Sequence, residues 1–262
     1  MYAEKYQATG NDFLLIKEIP ENPQQLAKII CDRHFGIGAD GLMYPVPSSN
    51  ATIGMRYFNS DGSEAPMCGN GLRTFVRFVL AHHFVQSSTF TVETKGGIIE
   101  VKAEADRVSL DLGLPLLKTN QTVIDHPTLI TIREETFKLY LITLGTFHSV
   151  IFVESFEGFD FYTTGKFLST HPQFKAGVNV NFVRIINSKT LEVRTYERGA
   201  GPTLSCGTGV AASVYIAHKI KKTDAEMRVY VPGGELFVAV DRTVTLSGSA
   251  EKIASLNYLG GE

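Results

Sequence analysis

Apolar and polar residues alternate along most of this chain, a pattern typical of half-buried β-strands. In the first half the alternation predicts strands over residues 13–17, 53–58, 89–94, 98–102 and 108–112. In the second half it predicts strands over residues 139–143, 149–153, 181–186, 191–196, 227–231, 236–240 and 243–246. Strands therefore dominate both halves of the chain.

A helical period is present in only four segments, residues 23–32, 71–82, 161–171 and 210–221. The second places its apolar residues on one face, at Leu72, Phe75, Val76, Val79 and Leu80. The last is apolar almost all round, so we expect it to be buried. Many strands with one long helix in each half predict an α+β fold of two domains. We expect each domain to wrap a curved, mostly antiparallel sheet around its central helix.

Two stretches of the chain repeat one pattern. Residues 58–71 read FNSDGSEAPMCGNG and residues 196–209 read YERGAGPTLSCGTG. Each has an aromatic residue, a cysteine ten positions later, and then Gly-x-Gly at the start of an apolar helical run. Further matches join residues 10–16 to 145–151, and the Gly-Gly pairs at 96–97 and 233–234, at offsets of about 135 to 138. Solenoid repeats have periods of ~20–50 residues, so this spacing predicts an internal duplication into two similar domains.

The duplication predicts where the domains divide. Residues 1–115 would form an N-terminal half carrying Cys68, and residues 116–262 a C-terminal half carrying Cys206. The tail 252–262 would pack back on the first half. A linker is expected between Leu114 and Pro127, where prolines break the strand pattern. The length of 262 residues fits two domains at ~100–200 residues each.

Composition narrows the class of protein. With 44% hydrophobic residues the chain can bury ordinary cores, and a net charge of −2 without a basic stripe disfavours nucleic acid as a partner. No apolar run is long enough to span a membrane, and the N-terminus lacks the apolar core of a secretory signal. Three cysteines do not make a disulfide framework. We therefore expect a cytoplasmic protein without membrane association.

The cysteines divide into two kinds. Cys31 lies in an apolar run and reads as a core residue. Cys68 and Cys206 each precede a predicted helix, whose first N–H groups have no internal partner and carry partial positive charge. Such a position binds anions and lowers a thiol pKa from its free value of about 8.5. The competing interpretation, in which both are buried core thiols beside helix caps, stays open.

Other chemistries fit the pattern less well. The two Gly-x-Gly segments match neither the P-loop nor the dinucleotide fingerprint, so a carboxylate is the better guest for these helix N-termini. A cysteine protease would pair one thiol with His148 and leave the second without a role. Scattered histidines and two distant thiols show no metal-ligand spacing, so no metal is expected.

Two thiols suit inversion of a carbon that bears a hydrogen. One base removes the proton from one face, and one acid supplies a proton to the other. Helix N-termini that hold the carboxylate would stabilise the carbanion-like transition state. The duplication would supply one thiol per domain, with the substrate in the cleft between them, and no cofactor is needed.

The motifs closely resemble those of the diaminopimelate epimerase family, the pyridoxal-phosphate-independent epimerases of lysine and peptidoglycan precursor synthesis. The resemblance spans nearly the whole chain and rests on residues 9–13 (TGNDF), 32–41 (DRHFGIGADG), 59–63 (NSDGS), 67–71 (MCGNG), 178–179 (VN), 196–201 (YERGAG), 205–209 (SCGTG) and 232–234 (PGG).

The resemblance implies roles for particular residues. It implies Cys68 and Cys206 as the acid/base pair, and a carboxylate cradle of backbone groups at Gly69, Asn70, Gly207 and Thr208. It implies the substrate contacts Asn11, Asn59, Asn179, Glu197 and Arg198. It implies that His148 and Glu197 lie beside the cysteines, and that the enzyme is a homodimer acting on a small amino acid without a cofactor. Taken alone, Asn11 and Asn59 also suit turns, Glu197 and Arg198 a solvated ion pair, and His148 a core position.

One departure concerns the substrate. The family usually reads Gly-Asn-Pro-His where this chain reads Gly145-Thr146-Phe147-His148. Thr146 offers a hydroxyl but no amide for the far end of diaminopimelate. An epimerase or racemase of another amino acid on the same fold is therefore the alternative, and a non-catalytic binding protein is a third hypothesis, which retention of both cysteines disfavours.

Overall fold

The computed structural model describes residues 1–115, 127–132, 134–220 and 222–260. They form two compact units, one of Met1–Asp111 with Ser247–Glu262 and one of Leu112–Leu246. Both units are sheet-rich with packed helices, so the fold is α+β with two domains, as the alternation predicts. The predicted linker between Leu114 and Pro127 lies mostly outside the described residues, and the predicted boundary between residues 115 and 116 stays a prediction.

The strands, in chain order, are β1 Tyr2–Ala8, β2 Asn11–Leu15, β3 Gly41–Val46, β4 Ile53–Asn59, β5 Thr89–Thr94, β6 Gly97–Ala103, β7 Val108–Asp111, β8 Thr128–Ile132, β9 Glu135–Leu144, β10 Thr146–Phe152, β11 Asn179–Asn187, β12 Thr190–Glu197, β13 Gly201–Thr203, β14 Glu226–Val231, β15 Gly234–Val240, β16 Val244–Gly248 and β17 Glu251–Asn257. The helices are α1 Pro23–Ile30, α2 Gly69–Ala81, α3 Phe161–Ser169 and α4 Gly207–Lys219.

The sheet of the first unit is mostly antiparallel. Strand β1 pairs antiparallel with both β2 and β17, and the pairs β3–β4, β5–β6 and β6–β7 are antiparallel too. Strands β2 and β3 run parallel, as do β4 and β5. Parallel neighbours need a crossover connection, and α1 and α2 provide these two.

The second unit repeats this topology. Strands β9–β10, β11–β12 and β14–β15 pair antiparallel, whereas β10–β11 and β12–β14 pair parallel across the crossovers that contain α3 and α4. The registers correspond as well, since Phe13 lies opposite Gly41 in the first unit and His148 opposite Asn179 in the second. The duplication predicted from the two cysteine motifs is therefore present in the strand pairing of each unit.

Each unit buries its long helix. In α2 the apolar face predicted from the sequence is inaccessible at Leu72, Phe75, Val76 and Val79. In α4 residues Val210–Ala212 and Val214–Ala217 are buried, which confirms that this helix is apolar all round because it is enclosed. Both helices begin earlier than predicted, α2 at Gly69 and α4 at Gly207, directly after the cysteines.

No helix within the described residues has the length and apolar character needed to cross a membrane.

Candidate active site

The two cysteines occupy equivalent positions at the starts of the buried helices. Cys68 is the N-cap of α2, with φ −138° and ψ 120°, and Cys206 is the N-cap of α4, with φ −121° and ψ 102°. The carbonyls of both accept the first helical hydrogen bonds, from Leu72 at 2.8 Å and Val210 at 2.9 Å. Each thiol therefore stands beside the first N–H groups of its helix, as the sequence predicts. Cys206 is buried and Cys68 half-buried.

The same geometry concerns the predicted carboxylate cradle. Gly69 and Asn70 are the first two residues of α2, and Gly207 and Thr208 are the first two of α4. Their N–H groups precede the first turn of hydrogen bonds and carry the positive end of the helix dipole. Each pair can therefore bind one carboxylate oxygen or an equivalent anion.

Cys68 lies in a network of amide side chains. Its Sγ lies 3.7 Å from Asn11 Oδ1, which also accepts a hydrogen bond from Asn70 Nδ2 at 3.4 Å. Asn70 Oδ1 in turn accepts from Thr9 Oγ1 at 3.5 Å. The structure thus brings together Cys68, Asn70 and Asn11, three of the predicted site residues. Thr9 is buried and has a positive φ of 49°, uncommon for a residue with a side chain.

A cluster of charges fixes Asn11 from the other side. Asn11 Nδ2 donates to Asp40, and Arg33 bridges Asp40 and Asp12 at 2.8 and 2.7 Å. Burial alone would raise the pKa of Asp12, but hydrogen bonds from Arg33 and Lys5 outweigh it and lower that pKa to about 2. Because Nδ2 of Asn11 is committed to Asp40, its Oδ1 faces Cys68. Asn11 is therefore more than a turn residue.

The sequence did not indicate Arg73, a fully buried cation on α2. Its guanidinium donates to Thr9 Oγ1 at 3.2 Å, Ser249 O at 3.3 Å and Gly69 O at 3.5 Å. Burial lowers the pKa of Arg73 to about 10, while the nearby Cys68 acts in the opposite direction. Arg73 is still a cation at neutral pH.

Asn59 is the predicted site residue that the structure does not join to this network. It ends β4, and its Nδ2 donates to Ser63 Oγ at 3.0 Å within the same turn. Its backbone N–H also bonds to the Ser63 carbonyl at 2.9 Å. In these contacts Asn59 serves its turn, and its role toward a substrate stays a prediction.

His148 lies at the centre of the corresponding network in the second unit. Its Nδ1 is 3.2 Å from Asn181 Nδ2, and its Nε2 lies 2.9 Å from Thr146 Oγ1 and 3.1 Å from Thr208 Oγ1. Asn181 Oδ1 accepts from Thr195 at 3.0 Å, which orients the amide so that Nδ2 donates to His148. Neutral His148 must then carry its proton on Nε2. Burial lowers the pKa of His148 to about 3, so the neutral form prevails.

Thr208 links His148 to the thiol of the second unit. Its hydroxyl lies 3.1 Å from His148 Nε2 and 3.7 Å from Cys206 Sγ. The resemblance implied that His148 lies beside a cysteine, and the structure connects the two through this hydroxyl. The imidazole can therefore orient this hydroxyl beside the thiol.

Glu197 is a half-buried carboxyl next to Cys206. Burial raises the pKa of Glu197, and hydrogen bonds from Thr203 and Cys206 oppose that rise. Thr203 Oγ1 donates to its Oε1 at 2.7 Å. Among the described residues no ion pair joins Glu197 to Arg198, so the solvated-pair interpretation does not hold here.

Asn179 and Arg198 form the outer part of the second-unit network. Asn179 Oδ1 accepts from the Arg198 backbone N–H at 2.8 Å, and Asn179 Nδ2 donates to Thr146 Oγ1 at 3.0 Å. The exposed Arg198 donates from Nη1 to Ala176 O at 2.6 Å. One edge of its guanidinium is used by the protein, and its donors exceed that single contact.

Sequence reasoning missed Thr9, Asp40, Arg73, Asn181 and Thr203. An asparagine among the valines of β11 was the available signal for Asn181, because a buried amide needs partners. No cluster of three or more histidine, cysteine or acidic residues in the described part of the chain could hold a metal ion.

Known proteins share this sequence and this fold. The family model for diaminopimelate epimerase matches residues 3–117 and 140–252. The diaminopimelate epimerase of Alkaliphilus metalliredigens is 39% identical over 98% of this chain and 96% of its own length. That of Carboxydothermus hydrogenoformans is 38% identical over 97% and 98%.

Solved structures support the fold at lower identity. A hydroxyproline epimerase from Agrobacterium vitis superposes with a TM-score of 0.76 at 14% identity, covering 99% of this chain and 92% of its own. A phenazine biosynthesis protein of the PhzF family from Bacillus anthracis superposes with a TM-score of 0.69 at 16% identity, covering 98% of both.

The two-unit fold and the sequence relatives define an isomerase of the amino-acid epimerase class. Within that class, the chain belongs to the diaminopimelate epimerase family.

Proposed function

We propose that this enzyme converts LL-2,6-diaminopimelate to the meso isomer by two-base proton transfer at one α-carbon, without pyridoxal phosphate. One observation carries the proposal. The duplicated units retain a cysteine as the N-cap of each buried central helix, at Cys68 and Cys206, although their other site residues differ.

The chemistry requires the two thiols in complementary protonation states. A thiolate takes the α-proton, so that the C–H bond breaks and an S–H bond forms. The other thiol gives its proton to the opposite face of the α-carbon, so that its S–H bond breaks and a new C–H bond forms. Each turnover exchanges the states of Cys68 and Cys206, and the reverse reaction uses them in the other order.

In this proposal the helix N-termini make the α-proton of the substrate more acidic. Removing an α-proton moves negative charge onto the adjacent carboxylate. N–H groups at Gly69, Asn70, Gly207 and Thr208 are held by helices before the reaction, so they need no reorganisation to stabilise that charge.

The distal end of diaminopimelate carries a second amino and carboxylate group, and the polar residues of the outer network suit it. Arg198 can grip a carboxylate bidentately, and Asn179, which positions the Arg198 backbone, offers an amide nearby. Asn11 and Asn59 are further substrate contacts in this proposal.

The cellular setting follows from the resemblance. We infer a cytoplasmic homodimer whose product enters lysine and peptidoglycan precursor synthesis. Size-exclusion chromatography with light scattering measures the oligomeric state, and a monomer at working concentration contradicts the dimer.

Turnover of purified enzyme tests the reaction. We expect formation of meso-diaminopimelate from the LL isomer, with one solvent deuteron incorporated at the inverted carbon in D₂O. Cys68→Ala and Cys206→Ala should each abolish epimerisation, because inversion needs both faces served. The matched control, Cys31→Ala, removes a buried thiol outside the site and should retain turnover.

Two results would contradict the proposal. Full epimerisation by Cys206→Ala would end the two-base mechanism. No turnover of diaminopimelate, together with racemisation of another amino acid, would favour the alternative substrate that Thr146-Phe147 suggests.

A further inference from the structure

Duplication placed a cysteine in each unit but did not duplicate the charges around it. Arg73 on α2 corresponds to Ala211 on α4, and Asn59 at the end of β4 corresponds to Glu197 at the end of β12, each at an offset of 138 residues. The first unit therefore has a fully buried cation near its thiol, and the second has a half-buried carboxyl.

The charge of Arg73 is not neutralised by a neighbouring carboxylate. Its guanidinium bonds are to a hydroxyl and two carbonyls, and within the described residues no acidic oxygen lies within 4 Å of it. A buried cation normally has an anionic partner, since transfer from water is otherwise uncompensated. The start of α2 therefore carries the positive charge of Arg73 without a neighbouring negative charge.

The guanidinium reaches Cys68 through a short chain of contacts. Arg73 donates to the carbonyl of Gly69, the residue that follows Cys68. It also donates to Thr9, and the hydrogen bonds from Thr9 to Asn70 and from Asn70 to Asn11 end at the amide oxygen beside the thiol. Arg73 therefore lies under the same helical turn that Cys68 caps.

The other charges around α2 are already paired. Glu4 on β1 bonds to Lys252 on β17 and to His82, Asp12 on β2 to Lys5 and Arg33, and Asp40 to Arg33. Further ionisable groups on the strands packed against α2 are Tyr2, Tyr6, Tyr44, Glu100, Lys102, Asp111 and Glu251. His82 caps the far end of the 13-residue helix, about 20 Å from Cys68 at 1.5 Å per residue.

Cys206 is in the opposite environment. Its thiol hydrogen-bonds to the Glu197 carboxyl, which also accepts from Thr203. A carboxyl oxygen that accepts from the thiol favours S–H over the thiolate, and a charged carboxylate repels a thiolate as well. The helix N-terminus acts on both cysteines, whereas Arg73 lies only in the first unit and Glu197 only in the second.

We propose that Arg73 is a positioning residue that holds Cys68 as the thiolate in the free enzyme, while Glu197 holds Cys206 as the thiol. The resting enzyme is then prepared with its base in the first unit and its acid in the second. Asn11 Oδ1 favours the thiol form of Cys68 instead, because at 3.7 Å it can accept a hydrogen bond from the S–H group. That contact is long and thiols are weak donors, so the buried charge prevails. The roles of the cysteines rest on the proposed function.

Alkylation of the two thiols tests the assignment without turnover. Substrate-free enzyme is treated with iodoacetamide between pH 5 and 10, and peptide mass spectrometry follows Cys68 and Cys206 separately. In wild type we expect the Cys68 profile to have its midpoint at lower pH than the Cys206 profile. Equal midpoints, or the reverse order, overturn the proposal, and this comparison needs no variant.

Variants at Arg73 then separate charge from structure. Arg73→Met should slow Cys68 alkylation at pH 7 at least about tenfold, because a rise of about one unit in the pKa of the thiol lowers the thiolate fraction tenfold. The alkylation rate of Cys206 should not change. Arg73→Lys keeps the cation and should restore the rate to within a few-fold. The control, Arg77→Met, removes a partly exposed arginine one turn along α2 and should change neither thiol.

Folding is checked by circular dichroism on each variant. If folded Arg73→Met shows the wild-type Cys68 profile, or Arg73→Lys is as impaired as Arg73→Met, Arg73 acts only as a structural residue and the proposal is wrong. If Arg73→Met does not fold, the order of the Cys68 and Cys206 alkylation midpoints in wild type decides whether the proposal holds. Failure to turn over diaminopimelate would overturn the proposed substrate and leave the alkylation result intact.

Discussion

Among single residues, His148 couples the second-unit network to pH. Its pKa falls from 6.5 to about 3 on burial, so the unfolded chain binds a proton between these values that the folded chain excludes. The free energy of unfolding is therefore full above pH 6.5 and decreases as the pH falls toward 3, by about 1.4 kcal/mol per unit.

We predict that His148→Gln removes this pH dependence. Between pH 6.5 and 5 the wild type should lose about 2 kcal/mol more stability than the variant. Urea denaturation at a series of pH values measures both, and the difference between the proteins cancels the contributions of carboxyl groups, including the raised pKa of Glu197. Parallel curves for the two proteins would show that His148 is protonated in the folded state.

In the proposed function, the substrate specificity of the enzyme depends on Arg198 and Thr146. If the substrate is diaminopimelate, Arg198→Ala should lower kcat/KM for it by a hundredfold or more, a cost of about 3 kcal/mol for an unpaired charge. Thr146→Asn should be tolerated, because an asparagine there can still bond to Asn179.

A smaller true substrate reverses the second expectation. Phe147 would then fill the distal space, and Thr146→Asn should impair turnover. Measuring kcat/KM of both variants on LL-diaminopimelate separates the cases, and unchanged kinetics of Arg198→Ala would exclude a distal carboxylate contact.

The sequence revealed residues whose signal was local and missed those whose partners are distant. The positions of Cys68 and Cys206 at the starts of the two central helices could be predicted because the duplication repeats their context. Arg73 could not, since an arginine within a helix reads as a surface residue, and its burial depends on Thr9 and Ser249, far away in the chain. Asp40 was within a recognised motif, but only the fold places it on Asn11.

At the scale of elements, the close approach of each central helix to its sheet depends on a glycine in the first turn. A Cβ at Gly71 would meet the terminal methyl of Met43, a flexible side chain. A Cβ at the corresponding Gly209 would meet Asn181 Oδ1, and would lie 3.3 Å from Cys206 Sγ. Asn181 cannot give way easily, because it is buried and bonded to Thr195, Ser149 and His148.

We predict different costs for two equivalent substitutions. Gly209→Ala should destabilise the protein by about 1–3 kcal/mol through overpacking and reduce activity by displacing Asn181. Gly71→Ala should cost less than about 1 kcal/mol, and the helix-propensity gain is common to both. Urea midpoints of the two variants provide the comparison. A larger loss for Gly71→Ala would mean that Met43 is the more rigid neighbour.

Strands were predictable where one face meets solvent and the other the core. Twelve such segments match strands of the structure, but β1, β3, β8, β13 and β17 were not predicted. Pro45 disfavoured β3, although it pairs with Met55 in the ladder. In β1 the alternation is obscured by Glu4, which is buried only because Lys252 and His82 compensate its charge.

For the whole molecule, the duplicated topology is discontinuous in the chain. The first unit contains Met1–Asp111 and takes its remaining strand, β17, from Glu251–Asn257. That strand pairs antiparallel with β1 and brings Lys252 to Glu4, where hydrogen bonds outweigh burial and lower the Glu4 pKa to about 2. The second unit, Leu112–Leu246, is contiguous.

Truncation should therefore damage the start of the chain. We predict that a chain ending at Ala250 loses hydrogen-exchange protection at the β1 amides that bond to β17, and unfolds at a lower temperature because Glu4 loses Lys252. A chain ending at Leu259 retains the strand and is the control. Unchanged hydrogen-exchange protection of β1 in the shorter chain would show that pairing with β2 alone keeps β1 folded.

The pairing of β1 with β17 has a consequence for biosynthesis on the ribosome. Domains commonly fold in the order in which they are synthesised, N-terminal first. Here the contiguous unit is complete once Leu246 has emerged, whereas the unit synthesised earlier must wait for a strand made at the end of translation. Throughout elongation the unpaired edge of β1 is exposed to other nascent chains. The part of the enzyme made first is thus the last to be finished.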